Sequence, residues 1–260
     1  MGRKDLKTGE SHGIRPGPAP DGKKLRFNWM TPFILSHYDS KTLYAGANML
    51  FKSENRGDKW TCISPDLSTN PGPERQGNVP FGTITDISES ALKKGLLYAG
   101  TDDGQLHVTK DDGATWTKIN KGLPNRWVSR VVASKYDVGT VFVSLTGYRE
   151  DDFEAYLYRS TDFGETWKSI VNNMPSESIN VIREDPSDQD ILYVGTELGA
   201  YCSIDKGKTW HSLCKTLPTC AVHDLAVHAG TGDLVAGTHG RSVFVLHAKE
   251  IQKIKQEVAK

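Results

Sequence analysis

One short pattern occurs four times along this 260-residue chain: Ser/Thr-x-Asp/Asn-x-Gly-x-Thr/Lys-Trp. Its copies are Ser53-x-Asn55-x-Gly57-x-Lys59-Trp60, Thr109-x-Asp111-x-Gly113-x-Thr115-Trp116, Ser160-x-Asp162-x-Gly164-x-Thr166-Trp167 and Ser203-x-Asp205-x-Gly207-x-Thr209-Trp210. The tryptophans stand 56, 51 and 43 residues apart, a spacing that belongs to stacked supersecondary repeats. The chemistry within each copy is that of a tight hairpin corner. The Asp or Asn side chain accepts bonds from backbone N–H groups further on. The glycine supplies positive φ without a Cβ clash. The indole lays a large flat surface on whatever lies beside it.

Short β-rich runs recur around each copy. Leu43-Tyr44-Ala45-Gly46, Leu97-Tyr98-Ala99-Gly100, Val141-Phe142-Val143, Leu192-Tyr193-Val194-Gly195 and Leu234-Val235-Ala236-Gly237 each have another run before and another after. The segment from each Trp onward supplies a fourth. Four short strands per unit form an antiparallel meander, and radial repetition of such sheets gives an all-β propeller of four-stranded blades. The units run over 27–67, 82–124, 127–175, 178–218 and 221–247 of one domain, 1–260, with a charged tail at 249–260. The last unit has three strands. A weak hairpin around Thr8-Gly9 is the piece expected to join it and close a ring of five blades. The alternative is an arc of a larger propeller whose open edges are covered by other blades. Closure is the favoured arrangement. Pro- and Gly-rich stretches at 16–24 and 66–79 are surface linkers.

Composition excludes more than it identifies. Thirty-two basic and 32 acidic residues cancel, which argues against nucleic acid or an anionic membrane as the partner. No apolar run approaches a membrane-spanning length, and no secretory signal is visible at Met1-Gly2-Arg3-Lys4. Cys62, Cys202, Cys214 and Cys220 lack metal-site spacing and are expected as half-buried strand thiols; one disulfide among the last three is the alternative. His107, His211, His223 and His228 show no ligand grouping, so neither a metal nor a cofactor is expected.

The repeated corner resembles the Asp-box, or BNR repeat, of sialidases, xyloglucan-cleaving propellers, the sortilin (Vps10) ectodomain and photosystem assembly factors. The chain is most similar to sortilin-like bacterial propellers of the glycosyl-hydrolase-like kind. The similarity rests on the four boxes, on the stretch from Leu192 to Gly199 and on Gly237-Thr238-His239-Gly240-Arg241 to Val245. It runs from about residue 27 to 247. It implies a propeller, an extracytoplasmic location, boxes on the outer edge, and a glycan or protein ligand on the opposite, axial face.

In a propeller the loops between second and third strands gather at that face. Here they carry Asp102, Asp103, Tyr148, Arg149, Glu150, Asp151, Asp152, Glu197, His239 and Arg241, and Arg126 and Arg130 start the third unit beside them. Convergent polar groups in a funnel are the default ligand site. Each also has a plain structural reading. Asp102-Asp103-Gly104 is an ordinary turn, Glu197 solvates or pairs its loop, and Arg149 pairs with Asp151 or Asp152. His239 and Arg241 flank Gly240 in a tight turn. The favoured function is a non-catalytic propeller whose axial face binds a protein or a glycan through Tyr148, Arg149, His239, Arg241, Arg126 and Arg130. The alternative is a glycoside hydrolase, sialidase-like or xyloglucanase-like, pairing Asp151 or Asp152 with Glu197 or Asp102. Tyr148 and the arginines are the residue types of a sialidase site, but neither order nor spacing matches one.

Overall fold

A computed structural model describes residues 1–213, 217–247, 251, 255 and 257. The strands are β1 (Gly2–Lys4), β2 (Ser11–Gly13), β3 (Phe33–Leu35), β4 (Leu43–Gly46), β5 (Leu50–Ser53), β6 (Thr61–Cys62), β7 (Ile84–Glu89), β8 (Leu97–Thr101), β9 (Leu106–Thr109) and β10 (Thr117–Lys118). They continue as β11 (Trp127–Ala133), β12 (Val141–Gly147), β13 (Asp152–Ser160), β14 (Lys168–Ser169), β15 (Ile179–Glu184), β16 (Leu192–Thr196), β17 (Ala200–Ser203), β18 (His211–Ser212), β19 (Val222–Val227), β20 (Leu234–Thr238) and β21 (Val243–Leu246). They form four antiparallel four-stranded meanders, β3–β6, β7–β10, β11–β14 and β15–β18, then the three-stranded β19–β21 and the separate pair β1–β2. The chain divides into two compact halves, Met1–Asn120 and Lys121–Lys260.

Each sheet is built on its second strand. β4, β8, β12 and β16 are buried along their whole length, which explains their near-continuous apolar runs: both faces of the strand are covered. In the first half, Tyr44, Leu50, Ile84, Ile87, Leu97 and Ala99 form one core between the first two sheets. In the second half, Phe142, Leu157, Ile179, Ile182, Leu192 and Trp210 join sheets three and four. A further core carries Tyr193, Cys202, Val222, Leu225 and Leu234 into the last sheet, with Ile251 from the helical tail residues buried against it.

The boxes close the outer hairpins as their chemistry requires. In the third, the Ser160 hydroxyl donates to Asp162 Oδ1 (2.6 Å) and accepts the Gly164 N–H (2.8 Å). Asp162 also accepts the Thr166 N–H (2.9 Å) and hydroxyl (2.5 Å). The copies at Thr109 and Ser203 repeat these bonds. Asn55 keeps the backbone half of the pattern, accepting from Ser53 Oγ (2.9 Å) and the Lys59 N–H (2.8 Å). Arg56, Asp112, Phe163 and Lys206 take φ of 58–63°, followed by Gly57, Gly113, Gly164 and Gly207 at 82–92°. The indoles also reach outward. Trp116 Nε1 donates to Ile63 O (2.8 Å) just past β6, and Trp210 Nε1 to Ile170 O (2.7 Å) just past β14, so the second and fourth boxes are bonded to the chain just beyond the outer strand of the sheet before them.

That rule corrects one expectation. β1 and β2 form the predicted hairpin, with Gly9 at φ 79°, but they pair only with each other. Ile14, just past β2, accepts the Trp60 indole N–H (2.9 Å), and Arg3 bonds Arg56 O (2.9 Å) and Asp58 (2.9 Å). The hairpin therefore sits on the first box as an outer strand pair would. The expected pairing with the last sheet is absent, and that sheet has three strands among the described residues. Cys62, Cys202 and Cys220 are free thiols, so no disulfide joins Cys202 to Cys220; Cys214 lies outside the described residues.

Candidate functional site

In the second half, the loop ends of sheets three and four carry one continuous polar network. β12 ends in a 3-10 turn, Tyr148–Glu150, and Asp151 reverses the chain at φ 54°, ψ 27°. Asp152 and Phe153, expected in the loop, already belong to β13. Arg126 lies beneath this corner and donates through Nε to Asp152 Oδ2 (2.7 Å) and pairs through Nη1 with Glu150 Oε2 (3.1 Å). The Tyr156 hydroxyl adds a bond to the same Asp152 oxygen (2.9 Å). Ser178 reaches the backbone of Asp152 (3.5 Å) and accepts the Glu197 N–H (3.1 Å). Asn180 donates to Glu197 Oε1 (3.0 Å). Glu177 takes the Thr196 hydroxyl (2.6 Å) and the Tyr201 hydroxyl (3.0 Å). Asp152 and Glu197 thus belong to one bonded system, and each has donors of its own.

Aromatic rings flank the 148–151 turn. The Arg149 guanidinium lies 4.2 Å from the Trp127 ring centroid, a stacked cation–π contact rather than the expected carboxylate pairing. Tyr148 and Phe153, each 51% exposed, meet edge to face at 6.0 Å. Trp127 and Phe153 were not among the residues singled out from sequence. Both look like ordinary strand-end aromatics there, and only the turn at 148–151 brings them beside Arg149 and Tyr148.

The electrostatics separate the carboxyl groups. The Arg126 guanidinium holds the Asp152 carboxyl below the usual carboxylate range, assisted by the Glu154 N–H and the Tyr156 hydroxyl. Asp102, in the first half, differs. Burial pushes its carboxyl up, against opposing bonds from Thr83 and Gly82. Its Oδ1 accepts the Gly82 and Thr83 N–H groups (2.9 and 2.7 Å), and Oδ2 accepts the Thr83 hydroxyl (2.6 Å) and the Asn28 amide (3.3 Å). Asp102 is buried, and its neighbour Asp103 is likewise buried, accepting from Thr69 and Thr101. These two hold the chain leading into β7 and the 66–70 loop.

The remaining candidates are dispersed. Arg130 lies within β11 and contacts Asp224 Oδ1 at 3.4 Å, an oxygen that Arg183 also binds at 2.7 Å. His239 stacks near His223, ring centroids 5.2 Å apart, and its N–H bonds Ala221 O. Arg241 is exposed on the β20–β21 loop. Among the described residues no cluster of three or more His, Cys, Asp or Glu could hold a metal ion. No helix of the described residues is long and apolar enough to cross a membrane.

Comparisons with known proteins agree with this architecture. A family model for sortilin and the Vps10 domain (sortilin, neurotensin receptor 3) matches residues 104–213. The chain has a β-propeller fold. Among solved structures, the GH74 enzyme of Niastella koreensis superposes with a TM-score of 0.64 at 16% identity, over 87% of this chain and 36% of that one. YCF48 bound to D1 peptide superposes with a TM-score of 0.57 at 16% identity, over 89% of this chain and 71% of its own. Xyloglucanase Xgh74A of Acetivibrio thermocellus is 28% identical over 132 residues, 45% of this chain. That match spans 16% of the xyloglucanase, so the chain corresponds to a small part of that relative's length.

Proposed function

We propose that this protein is a non-catalytic Asp-box propeller, and that the loop end of sheets three and four is its ligand face for a protein or a glycan. The observation that carries this reading is the state of the carboxyl groups. A glycosidase acid must hold a proton at working pH, beside a second carboxyl with space between them. Asp152 is held ionised by Arg126, which suits it poorly to deliver a proton. Asp102 has the raised affinity for a proton but is buried, with both oxygens already bonded. Exposed aromatic rings beside fixed polar groups suit recognition instead: flat surfaces for sugar faces or side chains, and a stacked guanidinium with free edges for acceptors.

YCF48 is described with a bound peptide, which favours a peptide-type ligand for this face. The xyloglucanase relative favours a second reading, xyloglucan hydrolysis with Asp151 or Asp152 and Glu197 as the pair. The extracytoplasmic location implied by the family resemblance belongs with either reading. Glycan and peptide arrays probed with the intact chain test the first. Retention that falls at least tenfold in Arg149→Ala and Tyr148→Ala, with the melting temperature unchanged, supports it. Retention indifferent to both changes counts against it.

A further inference from the structure

The loop end of sheets three and four combines exposed apolar groups with an excess of negative charge. Tyr148 and Phe153 meet edge to face with about half of each ring open. On the neighbouring loop, Leu198 is 52% exposed. That loop is tied to the same corner, because the Glu197 N–H bonds Ser178 O (3.1 Å) and the Ser178 hydroxyl reaches Asp152 O (3.5 Å). Large apolar side chains left open on two bonded loops, among polar groups, mark an interaction surface.

Charge decides what kind of partner fits this surface. Residues 126, 148–154, 177 and 197 carry six carboxylates and two guanidiniums, in a chain whose total charges cancel. Arg126 is engaged by two of the carboxylates, Asp152 (2.7 Å) and Glu150 (3.1 Å). Arg149 lies over Trp127. The other four, Asp151, Glu154, Glu177 and Glu197, form no salt bridge among the described residues. Ser176 donates to Glu154 (3.0 Å), and Glu177 and Glu197 take hydroxyl and amide groups, all of them neutral donors that leave the charges in place. Asp151 is exposed where the 3-10 turn ends. An acidic peptide would meet like charge here, and a neutral glycan has no charge to pair. A peptide with Lys or Arg beside apolar residues satisfies both halves of the surface. Its cationic heads reach the unpaired carboxylates while its stems and apolar side chains lie on the rings. Arg149, its plane laid on Trp127, turns N–H donors outward for a backbone carbonyl.

We infer that the partner of this face is a cationic peptide segment, its Lys or Arg side chains paired with Asp151 and Glu154 and its apolar side chains seated on Tyr148 and Phe153. The inference rests on the reading of this loop end as a ligand face, and narrows its ligand to one class. The unpaired carboxylates speed encounter and exclude acidic competitors, and the rings hold what has docked.

Fluorescence anisotropy of the intact chain with three labelled probes tests the class: a short peptide of Lys, Phe and Gly, the same peptide with Glu for each Lys, and a xyloglucan oligosaccharide. The Lys peptide should bind most tightly, and its affinity should fall about tenfold between about 50 and 300 mM salt. Asp151→Asn combined with Glu154→Gln should weaken it about fivefold. The melting temperature should stay near the parent's, since Asn tolerates the φ of 54° found at Asp151 and Gln keeps an acceptor for Ser176. Tyr148→Ala should weaken the same peptide. Tighter binding of the Glu peptide or of the oligosaccharide, still sensitive to Tyr148→Ala, overturns the cationic class and leaves the ligand face standing. Binding of the Lys peptide that ignores both salt and the paired carboxylate changes overturns the inference. Binding of all three probes that ignores Tyr148→Ala as well overturns the face along with it.

Discussion

At the scale of single residues, the box joins a turn, a pH response and a packing contact. The Asp111 and Asp162 carboxyls are lowered from an ordinary 3.8 to about 2, Asp111 chiefly by Thr115 and Asp162 by Ser160 and then Thr166. A carboxyl depressed on folding stabilises the fold above its unfolded pKa, and the contribution fades as pH falls through the folded value. Stability should therefore decline between about pH 4 and pH 2. Asp162→Asn should weaken that dependence while keeping the turn, because Asn55 already makes the same backbone bond in the first box. Urea titrations across this range check it, and an unchanged slope in the variant would speak against the assignment. The ring matters more than the turn. Trp210 is 4% exposed and bonded to Ile170, so Trp210→Ala should cost about 3–5 kcal/mol. Asp205→Ala, losing turn bonds at a half-exposed site, should cost about 1–2 kcal/mol. A loss below about half a kcal/mol for Trp210→Ala would contradict burial of its ring.

At the scale of elements, neighbouring backbones set the tolerance for a side chain. A Cβ on Gly113 would stand 2.5 Å from the Ile63 carbonyl oxygen at φ 92°, whereas one on Gly122, at φ 86°, would meet nothing within 4 Å. Both alanine substitutions carry the positive-φ cost of about 1 kcal/mol, but only Gly113→Ala must also push two sheets apart. Thermal melts should rank Gly113→Ala well below Gly122→Ala, and equal losses would mean that close approach is unimportant. What was legible in the sequence follows the same division. The boxes and the fully buried second strands could be seen because their chemistry is local. The bonds of Glu89 to Ser36 and His37, and of Glu184 to Ser134 and Lys135, could not, since their partners lie about fifty residues away. Asp102 was legible as a turn residue, but not as the acceptor for the Gly82–Thr83 backbone. Arg149 was expected on a carboxylate, yet it lies over the flat face of Trp127. A ring stacking partner leaves no charge pattern in the sequence.

At the scale of the molecule, repetition explains the scaffold and leaves function to the places where repetition breaks. The third sheet has the longest second and third strands and the only 3-10 turn among the second-to-third-strand connections of the described residues, and the candidate ligand network lies there. The N-terminal hairpin pairs with itself, and Ile14 accepts the Trp60 indole N–H as Ile63 and Ile170 accept those of Trp116 and Trp210. The balanced charge of the whole chain offers no long-range attraction to polyanions, so in the proposed binding role selectivity would rest on short-range contacts at the loop face.

The most direct test is turnover. The intact chain incubated with xyloglucan and with a panel of chromogenic glycosides, followed by release of reducing ends or chromophore, should give no product above a heat-denatured control. Product formation abolished in both Asp152→Asn and Glu197→Gln, with the fold retained, would show that the pair performs hydrolysis and would contradict a purely binding role.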